Sequence, residues 1–376
     1  MRVLLYYPSN KRTVAIETVV LELHRRGVPI ELLTTCEPGA LHEYLEAQGI
    51  RTHTNAIPKR SAVGYYFRQI VYLVRFCREH GITTVFANLQ HVNFIAVFAQ
   101  FFTTARMVIF RHHFKFTLPG DGIPLKPNRM ERVFDAVINR LGREIIVPST
   151  GVYEGMRIVE KADMTRVRIL PYIYDFDQYG VPDSDAVAEI RERYPARLRL
   201  LMSSRLIPYK RHGLAFTVVR DLVRSGLDVV CFVLDEGPEL EALQAFVAEE
   251  GLEDHIVFLG FRTDFLDWMG AADLLVHPSL TEASSSVVKE MALLGKTSMV
   301  CQGVGDFDEY LVHGQNAFVV PRSTDGSHME QILREVHDDP ELLTTLGASL
   351  QDTVLARFGH ESDVVLEYLE LARRAP

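Results

Sequence analysis

The sequence has few cysteines and no long uninterrupted apolar run. Its 376 residues include four cysteines, widely scattered and without Cys-x-x-Cys spacing, which argues against a structural zinc site and for a reducing compartment. Polar residues interrupt the longest apolar region, residues 94–110, so it is no membrane span. The first 35 residues lack the basic, apolar and small-residue order of a signal peptide. We therefore expect a cytoplasmic protein.

Charge is distributed unevenly between the two halves of the chain. Residues 1–180 contain 23 basic and 16 acidic side chains, a net charge of +7, and residues 181–376 contain 17 and 33, a net charge of −16. A basic half attracts phosphates, anionic lipids or nucleic acid, although it also serves plain solubility. No basic tract or nucleic-acid motif accompanies it, so nucleic acid is not an expected partner.

One helix pattern bears on the membrane alternative. Residues 65–78 combine an apolar stripe with Arg68, Arg75 and Arg78. Such a helix either packs its stripe in a core or lies on a membrane surface. Peripheral association with an anionic membrane, on its inner face, therefore stays open beside the purely cytoplasmic expectation.

Strand-like apolar runs alternate with helical patterns along the whole chain. This alternation predicts an α/β protein built from βαβ units with parallel sheets. An acidic segment with two prolines, residues 181–195, is the expected linker. We predict two doubly wound domains, 1–180 and 181–356, with a C-terminal helix at about 357–376 that packs back on the first domain. A ligand is expected in the cleft between the domains.

The stretch at residues 271–295 carries the clearest chemical pattern. A short strand is followed by Glu282, by Ser284 to Ser286 at the expected start of a helix, and by Glu290. Eight helical residues rise about 12 Å, and the helix N-terminus between the two acids suits a phosphate. This order fits a sugar nucleotide, with hydroxyls at each end and a diphosphate in the middle. The alternative is a surface helix with two solvated glutamates.

Further segments resemble the family-4 retaining glycosyltransferases of the GT-B fold. SSRLIPYKRH, at residues 203–212, is similar to the family's Gly-Arg-Leu…Lys-Gly segment. TEASSSVVKEMALLGKTSMV and GVGDFDEYLVHGQNAFVVP follow in family order, whereas the first half matches more loosely. The resemblance implies two Rossmann-like domains that face each other across a cleft. It also implies transfer of a hexosyl group, with retention, from a UDP- or GDP-sugar to a hydroxyl of a glycan or lipid-linked glycan in surface polysaccharide or glycoconjugate synthesis.

The resemblance also assigns roles to individual residues. Arg205 and Lys210 would bind the diphosphate and stabilise the charge that develops on the leaving group. Glu282 would hold hydroxyls of the transferred sugar, and Glu290 would hold those of the ribose. His113, or its neighbour His112, would approach the sugar from the first domain. The remaining candidates bind the phosphate through backbone N–H groups, at Ser285, Ser286 and Val287, or recognise the base, at Gly260, Phe261 and Arg262.

The chain departs from the family pattern at three places. The first loop, PSNKRT at residues 8–13, has no glycine, so Ser9, Asn10, Lys11 and Arg12 form the candidate acceptor or phosphate loop, with charge in place of close backbone approach. Two serines stand where Phe-Gly is usual, at 284 and 285, and Asp235 and Glu236 stand where a strand normally ends in Gly-x-Gly.

Three Asp-x-Asp triplets raise the question of a metal. They are Asp175/Asp177, Asp183/Asp185 and Asp306/Asp308. We interpret them as structural and predict activity that needs neither a metal nor a cofactor. Two other functions remain alternatives to glycosyl transfer: a sugar-nucleotide 2-epimerase of the same fold, and a non-catalytic binding module that keeps the fold for recognition.

Overall fold

The computed structural model of the protein describes residues 1–59, 61–112, 129–322 and 325–374. These residues form two compact units. One contains the chain up to Gln178 together with the residues from Arg357 onward, and the other runs from Tyr179 to Ala356. The sequence places the corresponding boundaries at 180/181 and 356/357.

The first part of the described chain alternates strands and helices. The elements are β1 (Val3–Tyr7), α1 (Val14–Arg25), β2 (Ile30–Thr34), α2 (Ala40–Ala47), β3 (Arg51–Thr54), α3 (Ala62–Glu79), β4 (Thr84–Asn88), α4 (Gln90–Ala99), β5 (Arg106–Phe110), α5 (Arg129–Leu141), β6 (Ile145–Val147), α6 (Thr150–Ile158) and β7 (Val167–Ile169).

The second part repeats this alternation and ends in three helices. The elements are α7 (Ser184–Arg193), β8 (Leu198–Ser203), α8 (His212–Arg224), β9 (Val229–Leu234), α9 (Leu240–Glu250), β10 (Ile256–Gly260), α10 (Phe265–Ala271), β11 (Leu274–His277), α11 (Ser286–Leu293), β12 (Ser298–Cys301), β13 (Phe318–Val320), α12 (Ser327–Asp338), α13 (Glu341–Phe358) and α14 (Val364–Arg373).

Each unit contains one parallel sheet. The first sheet has the order β3-β2-β1-β4-β5-β6-β7 and the second the order β10-β9-β8-β11-β12-β13. Strands such as β1 are buried along their whole length, as expected where helices cover both faces of a parallel sheet. The prediction of two doubly wound α/β units is confirmed.

The strand orders locate where each unit binds ligands. Order reverses between β1 and β4 in the first sheet and between β8 and β11 in the second. In open α/β sheets, ligands bind at the carboxyl ends of the strands beside such a reversal. The loop at residues 8–13 follows β1, and the segments after β8 and β11 contain Lys210 and Glu282.

The expected linker is largely a helix. Within residues 181–195 the chain forms α7, whose first turn is capped by the Asp183 carboxylate, which accepts from the N–H groups of Asp185 and Ala186. Arg191 then donates to the carbonyl of Ala271 and pairs with Asp273 at 2.9 Å. The acidic composition therefore reflects a helix cap, and α7 is part of the second unit.

The last helix completes the core of the first unit. Val365, Tyr368 and Leu371 of α14 are buried in the cluster that includes Val3 of β1 and Val20 of α1. Among the described residues, no helix is both long enough and apolar enough to cross a membrane.

Candidate functional site

The segments that follow β8 and β11 meet at the reversal of strand order in the second unit. The backbone N–H of Leu280 donates to the carbonyl of Tyr209 at 2.8 Å, which joins the two segments. The ammonium of Lys210 contacts the Glu282 carboxylate, and Nε2 of His277 lies 2.7 Å from Oε1 of Glu282. Two of the predicted residues, 72 positions apart in sequence, are therefore in direct contact.

Glu282 is ionised at neutral pH. Burial alone would raise its pKa, but the hydrogen bond from His277 and the charge of Lys210 lower the pKa to about 2. Burial lowers the pKa of His277, so the neutral ring donates its Nε2–H and Lys210 supplies the counter-charge. The Glu282 carboxylate is therefore an anion that Lys210 and His277 hold in position.

A tight turn at Gly305 packs against Glu282. Gly305 has a φ of +57°, and a Cβ atom on it would lie 2.9 Å from the Cβ of Glu282. A larger residue would therefore displace either the turn or Glu282, besides straining the backbone. The turn continues into Asp306, whose side chain is 1% exposed.

Asp306 belongs to a buried polar cluster that the sequence did not reveal. Lys289, also 1% exposed, donates to Oδ2 of Asp306 at 2.9 Å and to Oγ of Ser284 at 2.9 Å. The hydroxyl of Ser284 donates to the same Oδ2 at 2.6 Å. This cluster fixes the segment between Glu282 and α11. One of the departures from the family pattern, Ser284, is thus explained by a buried ion pair beside it.

Helix α11 begins where the serines predict, but the expected capping bond is absent. Ser285 is the N-cap residue, yet its hydroxyl accepts no bond from the first turn of the helix as the structure describes it. The neighbouring hydroxyl of Ser284 is engaged by the buried cluster instead. The first-turn N–H groups, at Ser286 and Val287, are left without a side-chain cap and suit an anion.

Glu290 lies in the second turn of α11, and the pKa of its carboxyl group is unusual. Its carboxyl group is partly buried. Burial raises its pKa to about 7, against the opposing effects of a hydrogen bond from Ser286 and the charge of Lys289. The alternative of two solvated glutamates is wrong for this pair, because Glu282 is ion-paired and Glu290 is desolvated.

The ends of β9 and β10 show how Asp235 replaces a glycine that the family pattern places after the strand. Asp235 has a φ of +83°, a conformation that Asp tolerates better than most residues. Its N–H donates to the carbonyl of Gly260 at 2.8 Å, and its carboxylate accepts from the N–H of Glu236 at 2.7 Å. Gly237 remains essential to packing, since a Cβ there would lie 2.3 Å from the carbonyl oxygen of Leu206.

The residues expected to recognise the base lie beside this strand end. Gly260 has a φ of +65°, and the Phe261 ring that follows is 74% exposed. Arg262 is engaged, since its guanidinium forms two hydrogen bonds to Asp264. An exposed aromatic ring at this point suits stacking against a base.

The two basic residues after β8 differ in their surroundings. Arg205 is exposed, and its guanidinium has no hydrogen bond or ion pair within the described ranges, whereas Lys210 is ion-paired. Sequence reasoning missed Arg211, which is buried with a φ of +57°. Its guanidinium donates to the carbonyl of Pro278 at 2.9 Å and to Sγ of Cys301 at 3.1 Å, and so holds the loop that leads to Glu282.

In the first unit, His112 is held on both sides of its ring. Nε2 lies 2.8 Å from Oδ1 of Asn88, and Nδ1 lies 2.7 Å from the hydroxyl of Tyr172. His113, the other candidate, lies outside the described residues. Next to Asn88, Leu89 has a φ of +74°, which is a strained conformation for leucine and marks the carboxyl edge of β4.

The loop after β1 has one cationic side chain that is not engaged. Arg12 forms a two-pronged contact with Glu17, at 3.1 and 2.7 Å, and stacks over Tyr44. Asn10 donates to the carbonyl of Glu37, and the hydroxyl of Ser9 accepts from the N–H of Lys11. In this part of the described chain, only the exposed ammonium of Lys11 has no such contact.

Two groups of side chains in the first unit have the spacing of metal ligands. They are Glu31 with His53 and His80, and Asp175 with Asp177 and His360. The second group includes one of the Asp-x-Asp triplets. Of the other two triplets, Asp183 caps α7 and Asp306 pairs with Lys289, which gives each a structural role.

Two family models match the chain and together span most of it. Residues 184–350 match the model of glycosyl transferases group 1, and residues 13–172 match a glycosyl transferase 4-like domain. Each model covers just under half of the chain, and both describe glycosyltransferase domains. The family predicted from the motifs after β8 and β11 is confirmed.

Curated relatives match this chain over parts of their length. A GDP-mannose-dependent alpha-(1-6)-phosphatidylinositol monomannoside mannosyltransferase of Mycolicibacterium smegmatis is 29% identical, over 48% of this chain and 49% of the relative. The lipopolysaccharide core biosynthesis glycosyltransferase LpsD of Rhizobium meliloti is 28% identical, over 44% and 47%. The chain spans about half the length of the curated relatives it matches.

Solved structures match over nearly the whole chain. HepE of Anabaena in complex with UDP has a TM-score of 0.79 at 19% identity and 99% coverage of both chains. A sucrose-phosphate synthase of Thermosynechococcus elongatus has a TM-score of 0.77 at 16% identity, with 99% and 98% coverage. The chain therefore has the GT-B fold, as predicted.

Proposed function

We propose that this glycosyltransferase transfers a hexosyl group, with retention, from a nucleoside-diphosphate sugar to a hydroxyl of a glycan or lipid-linked glycan. The observation that carries the proposal is the contact of Lys210 with Glu282 beside the uncapped N-terminus of α11. Cation, anion and free N–H groups meet at the carboxyl edge of the second sheet, and a sugar diphosphate has a complementary group for each of them.

The proposed roles follow from this arrangement. Arg205 and Lys210 neutralise the diphosphate as negative charge develops on it, and the first turn of α11 donates to a phosphate oxygen. Glu282 accepts hydrogen bonds from sugar hydroxyls, and Glu290 accepts from the ribose. With a pKa of about 2, Glu282 is an acceptor and not a proton donor at neutral pH. The departing phosphate oxygen takes the proton of the acceptor hydroxyl, so no protein nucleophile is required.

The proposal includes independence of metal and cofactor. Arg205 and Lys210 supply positive charge at the diphosphate, the role that a divalent cation otherwise fills. Chelation with EDTA should therefore leave transfer unchanged. Loss of transfer that Mn²⁺ restores would contradict this part of the proposal.

The donor is proposed to be a UDP- or GDP-sugar, and the product a surface polysaccharide or glycoconjugate. One curated relative is named for GDP-mannose and another for lipopolysaccharide core synthesis, and a structural neighbour is solved with UDP-glucose. Phe261, exposed beside Gly260, gives the base a ring on which to stack. This surface accepts a purine or a pyrimidine equally.

The first unit presents a face that suits an anionic membrane. On α3, Val63, Phe67 and Val71 recur every four residues and are 83%, 66% and 42% exposed. Exposed Arg68 and Arg75 flank them. Apolar side chains beside arginines favour the interface of an anionic bilayer. We place the enzyme on the inner face of a membrane, where a lipid-linked acceptor would be presented.

Thermal shift followed by product analysis tests the activity. UDP-, GDP-, ADP- and dTDP-sugars are added one at a time, since a ligand that binds only the folded form raises the melting temperature. The stabilising donor is then incubated with the enzyme alone and with glycan acceptors, and the products are examined by NMR. A glycoside with the donor's anomeric configuration supports the proposal. An epimerised donor would identify an epimerase, and binding without turnover of any acceptor would favour a binding module.

Vesicle flotation tests the membrane contact. Anionic vesicles should retain the protein at physiological salt, and Phe67→Asp should weaken retention because it places a charge in the apolar stripe. Leu366→Asp, which places the same charge on an exposed apolar residue of α14, is the matched control. Equal retention on anionic and zwitterionic vesicles would remove the membrane from the proposal.

A further inference from the structure

A depression of about 700 Å³ opens at the amino edge of the first sheet. Arg106 begins β5, Glu144 precedes β6 and Arg168 lies in β7, and all three line it. The loop at residues 8–13 and His112 lie at the opposite, carboxyl edge of the same sheet. This depression is therefore separate from the residues assigned to glycosyl transfer in the first unit.

The lining of the depression is strongly basic. Glu144 is the single carboxylate among the described lining residues, and five arginines accompany it. We name this depression the arginine pocket, after Arg106, Arg143, Arg166, Arg168 and Arg374.

Glu144 does not satisfy the arginines around it. Its carboxylate oxygens lie 3.7 Å from Arg106, 4.0 Å from Arg168 and 3.8 Å from Arg374. These separations exceed hydrogen-bonding distance, so three guanidinium groups share one carboxylate through charge alone. Burial lowers the pKa of Arg106, Glu144 opposes that effect, and the charges of Arg374 and Arg168 lower the pKa further.

Several donors in the pocket have no acceptor. Nε of Arg106 and Nη1 of Arg168 are shielded from solvent, and neither has a hydrogen-bond partner within the described ranges. The guanidinium of Arg143 lies 5.7 Å from the centre of the Phe101 ring, and no hydrogen bond or ion pair of its side chain occurs in the same ranges. Arg166 pairs with Asp163 and Arg374 with Glu370. Nη2 of Arg106 donates to the carbonyl of Leu371, and Nη2 of Arg168 lies 4.0 Å from the carboxylate of Glu367.

We infer that the arginine pocket binds a phosphate group. Shielded N–H donors without acceptors destabilise a protein unless a ligand supplies oxygen atoms. A phosphate has several acceptor oxygens and up to two negative charges, and guanidinium groups bind it through paired hydrogen bonds. Arg106, Arg143 and Arg168 supply the charge and the donors, and Glu144 spaces the guanidinium groups.

The phosphate has two sources. It is either a soluble phosphate compound or the headgroup of an anionic phospholipid. The exposed rings of Phe101 and Phe102 adjoin the lining residue Thr103, and apolar rings beside a cationic pocket suit a bilayer interface. The inference rests on the pocket alone and does not depend on the proposed donor site.

The test removes two pocket charges without touching the donor site. Arg143→Gln/Arg168→Gln is compared with the wild type and with Arg157→Gln/Arg224→Gln, which removes two exposed arginines that are paired with acids elsewhere. Inorganic phosphate is titrated by calorimetry, and vesicles of phosphatidylglycerol and of phosphatidylcholine are tested by flotation. Because the donor residues are unchanged, any loss specific to the pocket variant reports on the pocket.

The expected result is binding that is about tenfold to a hundredfold weaker in the pocket variant and unchanged in the control, since each lost guanidinium withdraws a charge-assisted hydrogen bond. Loss confined to inorganic phosphate identifies a soluble ligand. Loss confined to phosphatidylglycerol vesicles identifies the lipid headgroup. If the pocket variant binds phosphate and both vesicles as the control does, the inference is wrong. The melting temperature of Arg143→Gln/Arg168→Gln without ligand should not fall, because the double substitution relieves repulsion between like charges.

Discussion

The ammonium of Lys210 contacts the carboxylate of Glu282, which lies 72 residues further along the chain. Each of these two side chains stabilises the other before any ligand is present. Arg205, the other cation proposed to bind the diphosphate, is exposed and has no such partner in the described chain. The two cations should therefore respond differently to substitution.

Lys210→Met should weaken binding of a nucleoside diphosphate by about tenfold to a hundredfold and should also destabilise the protein by about 2 kcal/mol, because Glu282 loses its counter-charge while buried. Arg205→Met should weaken binding by a similar factor and leave stability within about 0.5 kcal/mol, as surface substitutions do. Calorimetry with UDP or GDP and urea unfolding measure the two effects. Unchanged nucleotide binding in Lys210→Met would contradict the site assignment.

Glu282→Ala should separate the sugar from the nucleotide. Because Glu282 is proposed to hold only sugar hydroxyls, affinity for the bare nucleoside diphosphate should stay within about threefold, while transfer falls by about two orders of magnitude or more. Glu290→Gln is the comparison, since this variant should weaken binding of the bare nucleoside diphosphate as well as transfer. Steady-state kinetics and nucleotide titration report both quantities. A Glu282→Ala variant that loses the bare nucleotide as strongly as Glu290→Gln would count against the division of roles.

Nucleotide binding should be coupled to proton release at Glu290. Burial raises the pKa of Glu290 to about 7 in the free protein. Ribose hydroxyls that donate to the carboxylate favour its ionised form and lower that pKa, so binding expels a proton below about pH 7. Affinity should therefore rise with pH up to about 7 and level off above it.

Calorimetry in two buffers of different ionisation enthalpy measures the released proton. Glu290→Gln should bind the same nucleotide without this release. The nucleotide's own phosphate titration contributes to proton release in both proteins, so the difference between them isolates the contribution of Glu290. Equal proton release by the two proteins would show that Glu290 does not contact the ribose.

The buried pair of Lys289 and Asp306 should show strong energetic coupling. Lys289→Met leaves Asp306 buried without a counter-charge and should destabilise the second unit by about 3 to 5 kcal/mol. The double variant Lys289→Met/Asp306→Asn should recover much of that loss. Urea unfolding of the two single variants and the double variant completes a double-mutant cycle.

Arg75→Gln, which breaks a pair whose side chains are 72% and 59% exposed, is the matched control and should change stability by less than about 1 kcal/mol. Additive effects at Lys289 and Asp306 would argue against coupling.

Asp235 occupies a left-handed conformation that glycine adopts freely. Asp235→Ala should destabilise the protein by about 1 kcal/mol, because alanine has the steric penalty without the compensating hydrogen bond to Glu236. Asp235→Gly loses the same hydrogen bond, but glycine adopts the positive φ without a steric penalty, so the glycine variant should be the more stable of the two. Thermal unfolding of both variants measures the difference. A more stable alanine variant would show that the backbone at this position is not strained.

The alternation of short apolar runs and helices was sufficient to predict two doubly wound units, because parallel strands and their covering helices leave periodic patterns that depend on local sequence. Lys210 was named through the family resemblance, and its direct contact with Glu282 was not predicted. Both residues follow strands at the carboxyl edge of one sheet. His277, at the end of β11, obeys the same rule and could have been found by it. Lys289 offered a weaker signal: a lysine placed among apolar residues of a helix.

Other parts of the site depend on contacts between distant segments and could not be predicted. Asp306 is separated from Lys289 by 17 residues, and nothing in either local pattern indicates that they meet. Arg12 was a candidate for charge beside a phosphate, but Glu17, one turn into α1, engages it. Local sequence showed which groups were available, and tertiary contacts decided which of them were already occupied.

The placement of α14 sets the order in which the two units acquire their residues. Tyr368, Leu369 and Leu371 belong to the same core as strands β1 and β2, whereas the described residues of the second unit all lie between Tyr179 and Ala356. During synthesis, the second unit has its whole sequence before the first unit has its last helix. The first unit, although translated earlier, must wait with part of its apolar core uncovered until α14 leaves the ribosome. Folding of the two units is therefore completed in the reverse of their order along the chain.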